Sequence, residues 1–305
     1  MAFGKINETR ESGVAFKKYV GVAPVQIVAI NPTMKQLIDL GYNTTEEPKY
    51  ISTTDDGVPQ IRIEFVVKTL PEKCDNIDQM FRFSFMLKKK AVIGSNTGKY
   101  KIMDVYGQTA WATKDEIDQK LIPQYNNGPA NITNKYRIIC DGEEELTHFV
   151  RTYLNIPNVT KFINGRPAGM IDNPADAEGM LDHIKDYFTG DITELKEIFK
   201  MAPNNWIKIL VGIKTTDDNK QYHNVFTREF VSGGSTKFNR LSKVLQENLA
   251  LGRYANVYFG PQIGDGIMLN PLSEYTVEAT DVKPNYVAMP VYPGEVPDMP
   301  DDLPF

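Results

Sequence analysis

Ile61-Arg62-Ile63-Glu64-Phe65-Val66-Val67-Lys68 decides how this chain folds. Ile61, Ile63, Phe65 and Val67 alternate with Arg62, Glu64, Val66 and Lys68, and a period of two marks a strand with one face in a core. The pattern returns at Phe81, Phe83, Phe85 and Leu87, which alternate with Arg82, Ser84, Met86 and Lys88. Gly94-Ser95-Asn96-Thr97-Gly98 interrupts the second run and Lys99 to Tyr106 resumes it. Residues 81–106 therefore read as a hairpin with an extended tip, and Asp55-Asp56-Gly57 as the turn before the first strand.

Upstream, Gly21 to Asn31 reads as a strand, and Asn31-Pro32-Thr33 introduces a short helix that Gly41 stops. Downstream, Leu146, Phe149, Val150, Tyr153 and Leu154 recur at helical spacing, and further helical patterns run over 173–188, 191–200 and 236–251. Strands are expected at 206–214 and 222–231, joined by the turn Asp217-Asp218-Asn219-Lys220, and shorter ones near 256–259 and 275–279. Strands mostly meet hairpin turns, not strand–helix–strand alternation, which predicts a mainly β chain with helical insertions (α+β). The expected architecture is an OB-fold-like barrel, a β platform that accepts long insertions. Its expected parts are a basic arm (1–20), a β core (21–140), a helical insertion (141–200), a second β/α part (201–282) closing the barrel or forming a second lobe, and a disordered acidic tail (283–305).

Composition narrows the function classes. At 41 % hydrophobic and 24 % charged, the 305 residues are ordinary globular material. No run approaches the ~20 apolar residues that span a bilayer, since Val20 to Ile30 is broken by Pro24 and Gln26. The first residues lack the apolar stretch of a signal peptide, and two cysteines make no disulfide framework, so a reduced, cytoplasmic chain is expected. Net charge is −5, but Glu295, Asp298, Asp301 and Asp302 sit in the last twelve residues, and without them the remainder sums to −1.

Against that neutral background, Arg82 to Lys101 holds Arg82, Lys88, Lys89, Lys90, Lys99 and Lys101 and no acid. Tyr100 lies between two of the lysines, Tyr106 and Trp111 follow, and Arg62 is on the preceding strand. Cations that track phosphates, mixed with rings on which any base can stack, suit a single strand held without reading its sequence. The same lysines would also solvate an exposed strand edge. A weaker cluster, Trp206, Lys208, Lys214, Tyr222, His223, Phe226 and Arg228, would complete the groove or form a β surface of its own.

The chain closes on Asp301-Asp302-Leu303-Pro304-Phe305, after a stretch in which prolines accumulate from Pro284 to Pro304. A terminal Phe offers a ring for an apolar pocket and a carboxylate for a neighbouring base, while the aspartates suit a basic rim. This tip resembles that of bacterial single-stranded-DNA-binding proteins, with Leu303 where the family usually has isoleucine and a linker lacking the usual Gly/Gln richness. Gly98-Lys99-Tyr100-Lys101 through Trp111, and Gly142 to Leu146 through Leu154-Asn155-Ile156-Pro157, resemble segments of such proteins encoded by tailed phages. The resemblance implies single-stranded DNA as ligand, replication and recombination proteins docking on Asp301–Phe305, and self-association along DNA through an arm carrying Lys5, Arg10, Lys17 and Lys18. It implies no enzymatic activity.

Enzyme motifs are incomplete. Gly94 to Tyr100 is one residue short of a phosphate loop and has Tyr100 where a magnesium-binding hydroxyl is needed. Cys140 and His148 form one pair of zinc-type ligands with no second pair at metal spacing, so no metal or other cofactor is expected, in contrast to phage homologues that hold zinc. Two alternatives stay open: a docking module that never touches DNA, and a recombination annealing factor or nuclease.

Overall fold

In the computed structural model, residues 17–104, 109–118, 121–124, 128–131, 136–154, 162–163, 166–167, 187–200, 202–232, 247–248, 251–254, 256–258 and 270–275 are described. Most of the basic arm (1–16), Tyr106 and residues 276–305, which include the whole tail of 283–305, lie outside them, as do most of the helices expected over 173–188 and 236–251. The elements are β1 (Lys18–Ile30), α1 (Met34–Asp39), β2 (Ile51–Thr53), β3 (Pro59–Thr69), β4 (Met80–Ala91), β5 (Tyr100–Asp104), β6 (Thr109–Ala112) and α2 (Lys114–Asp118). There follow β7 (Leu121–Gln124), β8 (Gly128–Asn131), β9 (Tyr136–Ile138), β10 (Cys140–Asp141), α3 (Glu143–Tyr153), β11 (Phe162–Ile163) and β12 (Arg166–Pro167). The last are α4 (Thr193–Lys200), β13 (Ile207–Thr215), β14 (Gln221–Ser232), β15 (Val257–Tyr258) and β16 (Ser273–Tyr275). The chain is mainly β with few helices, and among the described residues no helix is long and apolar enough to cross a membrane.

The alternating stretches pair with each other in a register that puts like with like. Phe65 faces Phe83, Ile63 faces Phe85, Val67 faces Phe81 and Ile61 faces Leu87, so one side of the β3–β4 pair is wholly apolar. The sheet extends in the order β10-β4-β3-β1-β13-β14, antiparallel throughout, with β2 beside β3, β15 beside β13 and β16 beside β1. Because β13 pairs with β1, the strands after Trp206 share one sheet with the strands before residue 91. The sheet curls until its two long outer strands approach, with the Phe81 ring edge-on to His223 of β14 at 5.1 Å. The result is a curled half-barrel.

Helices fill its concave side. α3 buries Leu146, Phe149, Val150 and Tyr153, one stripe at helical spacing, and α4 buries Leu195, Ile198 and Phe199. Phe149 stands among rings, with centroids 4.7 Å from Phe65, 5.4 Å from Phe83, 5.3 Å from Phe85 and 6.1 Å from Phe199. Such tilted pairs contribute about 0.5–1.5 kcal/mol each beyond area burial. Gly142 sets the start of α3. Its φ is +88°, and a Cβ there would overlap the Met86 carbonyl oxygen, so only glycine lets the chain pass β4 and turn into the helix.

β4 outruns its partner, since the β3 pairing stops at Gln60 facing Lys88. Beyond it the chain continues through the Gly94–Gly98 tip into a small sheet, β6-β5-β9, with its own core of Ala91, Ile102, Ala112, Ile117 and Ile138.

Candidate nucleic-acid interface

The cations singled out by sequence divide into two groups. Arg62 and Arg82 lie on the face of the β3–β4 pair opposite the apolar core, together with Glu64. Glu64 is buried at 5 % exposure, and its carboxylate accepts from Arg82 Nε at 2.6 Å and lies 3.4 Å from an Arg62 nitrogen. Each guanidinium is covered by a ring, Arg62 by Tyr50 at 5.5 Å and Arg82 by Tyr42 at 5.0 Å. The Tyr50 hydroxyl donates to the Pro32 carbonyl at 2.7 Å, and burial pushes its pKa up. These two arginines thus tie the 41–50 segment to the sheet.

The second group gathers where β4 runs past β3. Lys88 is bonded to Asp141 at 2.9 Å, and that contact raises its pKa. Lys89 and Lys90 are exposed, and Lys99 is partly so. Among the described residues none of these three has a carboxylate within ion-pair distance. Lys101 faces Trp111 across the β5–β6 pair, with its ammonium 5.7 Å from the ring centroid and 2.5 Å from Glu144 of α3. Thr109 donates to the other Glu144 oxygen at 3.2 Å, which fixes the acid.

Trp111 keeps 37 % of its surface exposed, and Ile93, which bridges to Tyr100, 51 %. The indole lies against the tip, since a Cβ on Gly94 would stand 3.4 Å from it. Tyr100 packs one side on the small core and leaves the rest at the surface. The structure therefore brings Lys89, Lys90, Lys99, Tyr100, Lys101 and Trp111 to one hairpin and its flanking strand, and sets Arg62 and Arg82 apart from them. Tyr106 and Asp301, Asp302, Leu303, Pro304 and Phe305 lie outside the described residues.

The acids that meet these bases were not singled out from sequence. Asp141 and Glu144 come from more than 40 residues away. Glu64 was within reach of a register argument, because alternation alone puts it on the same face as Arg62 and Arg82.

The later cluster spreads out. Trp206 has Lys73 over its ring at 5.0 Å, and Lys208 faces Pro24. Phe226 is buried edge-on to Tyr254, and Arg228 lies on β14. The His223 Nε2 accepts the Tyr19 amide at 3.1 Å, and burial, with the Lys18 charge nearby, lowers its pKa to about 4. Among the described residues no three His, Cys, Asp or Glu side chains are grouped to hold a metal, and Cys74 and Cys140 are both buried thiols.

Comparison with protein-family models, with curated proteins and with solved structures returns no match.

Proposed function

We propose that this chain binds unpaired DNA irrespective of sequence, during replication, recombination or repair, on a barrel of the OB type with inserted helices. The observation that carries the proposal is the hairpin on which Lys101 faces a part-exposed Trp111 and which also carries Lys89, Lys90 and Lys99. Rings accept any base, and stacking contributes about 1–3 kcal/mol per base, while the lysines hold phosphates. Asp301–Phe305, on its resemblance to the bacterial tip, is the docking segment for partner enzymes, and the chain works without catalysis or cofactor.

A titration of poly-dT across salt tests this. Neutralising two phosphate contacts with Lys89→Gln/Lys90→Gln lowers the slope of log affinity against log salt by roughly 1.4, at about 0.7 per contact. A variant with the slope of the parent chain contradicts the assignment.

The ion pairs of Arg82, Lys88 and Lys101 favour a second reading, in which the hairpin is solvated surface and the chain is a docking module acting through Asp301–Phe305 alone. Partner capture with no oligonucleotide binding at low salt would establish that reading instead.

A further inference from the structure

β1 leaves β13 at Gly21. There φ is +112°, and a Cβ would stand 2.6 Å from the Pro271 carbonyl oxygen, so glycine is required for the strand to change partners. On one side of the divergence Lys18–Val20 pair with β16, and Lys18 faces Tyr275. On the other, Ile213 and Lys214 of β13 take up β15, and Ile213 faces Tyr258. Gly212 permits that close approach, since a Cβ there would be 2.9 Å from the Tyr258 carbonyl oxygen.

The two strands thus form a fork, and two rings meet across it. Tyr258 and Tyr275 have centroids 5.2 Å apart at an interplanar angle of 41°. Both are partly exposed, and neither belongs to the buried core. Lys18 donates to Gln221 Oε1 at 3.0 Å, and the same Gln221 side chain hydrogen-bonds Tyr275. Lys214, opposite Tyr222 and Val257, lies on the other face of β13 from Ile213 and Tyr258. Glu274 points to Lys17 at 2.9 Å, and Asp218 to Lys220.

We infer that this fork is a second stacking subsite for unpaired nucleotides, with Tyr258 and Tyr275 as the platform and Lys18, directly opposite Tyr275, as the flanking cation. It rests on the reading of the chain as a single-strand binder. A ring pair outside the core with a lysine beside it has the chemistry that holds a base and its phosphate together. The fork also has a definite distance from the hairpin. Phe81 touches His223 beside the fork, and Lys89 lies eight residues further along β4, about 26 Å at ~3.3 Å per residue. A short oligonucleotide occupies one subsite, and only a longer one engages both.

The test uses the full chain and fluorescein-labelled oligo-dT of about 3 and about 30 nucleotides, below and above the range of about 4–16 nucleotides held per barrel. Tyr258→Leu/Tyr275→Leu weakens binding of the longer oligonucleotide about tenfold and changes the shorter less than about twofold. Tyr258→Phe/Tyr275→Phe, which keeps the rings, binds as the parent does. If the Leu pair binds the long oligonucleotide like the parent chain while Lys89→Gln/Lys90→Gln is weakened, the fork is overturned and the hairpin stands. If the unaltered chain binds neither length, the single-strand reading itself fails. Should the Leu pair not fold, photocrosslinking of the unaltered chain to an iodouracil-containing strand decides: adducts at Tyr258 or Tyr275 support the fork, and adducts confined to the hairpin overturn it.

Discussion

Glu64→Gln isolates the charge that holds the outer face of the β3–β4 pair together. The substitution keeps side-chain volume but turns one acceptor oxygen into an NH2 donor and leaves two guanidinium groups without their anion. Arg82 is 15 % exposed and Arg62 30 %, so water compensates the first poorly and the second in part. Removing one partner of a buried pair costs about 3–5 kcal/mol. The partial exposure of Arg62 places the expected loss near the lower end, at about 3 kcal/mol. For a chain of this size that is a fall in melting temperature of roughly 6–12 °C. Urea unfolding followed by circular dichroism reads the loss directly. A cycle with Arg82→Gln should show a coupling of about 1–3 kcal/mol. A loss below about 1 kcal/mol, or no coupling, would refute the claim that these arginines serve the fold through Glu64. The same Arg82→Gln variant should leave the salt slope of DNA binding unchanged.

Three further outcomes are expected. Phe149→Ala removes the ring at the centre of the half-barrel and should cost about 3–5 kcal/mol in urea unfolding. Gly142→Ala forces a side chain into the Met86 carbonyl at a positive φ, and loss of soluble, cooperatively unfolding protein is its predicted result on a gel-filtration column. His223 is held neutral in the folded chain, with a pKa of about 4 against 6.5 unfolded, so the unfolded chain takes up its proton first as pH falls. Stability present above pH 6.5 should therefore decline towards pH 4, by up to about 3 kcal/mol, and His223→Gln should flatten that decline in urea melts across pH.

Local pattern carried much of the fold. The alternation at 61–67 and 81–87, the tip at 94–98 and the helical stripe from Leu146 to Tyr153 are all found where the residues placed them, because each is a short-range consequence of one face meeting a core. Whether β13 joins β1 was beyond such reasoning, since nothing local to Ile207–Thr215 names its partner. The candidate site could be listed from its cations and rings, but their environments could not be read from sequence. Lys88 and Lys101 look free in a stretch without acids, yet Asp141 and Glu144 reach them through the fold. The fork was invisible for the same reason: Lys18, Tyr258 and Tyr275 are brought together only by the departure of β1 at Gly21.

The measurement that bears most directly on the hairpin surface follows Trp111 alone. With Trp206→Phe, Trp111 is the one remaining indole, and its emission can be titrated with single- and double-stranded oligonucleotides over a range of salt. Quenching by poly-dT that weakens with rising salt, and a much smaller response to duplex, is the expected result. Emission indifferent to poly-dT at low salt, or equal quenching by duplex, would contradict it.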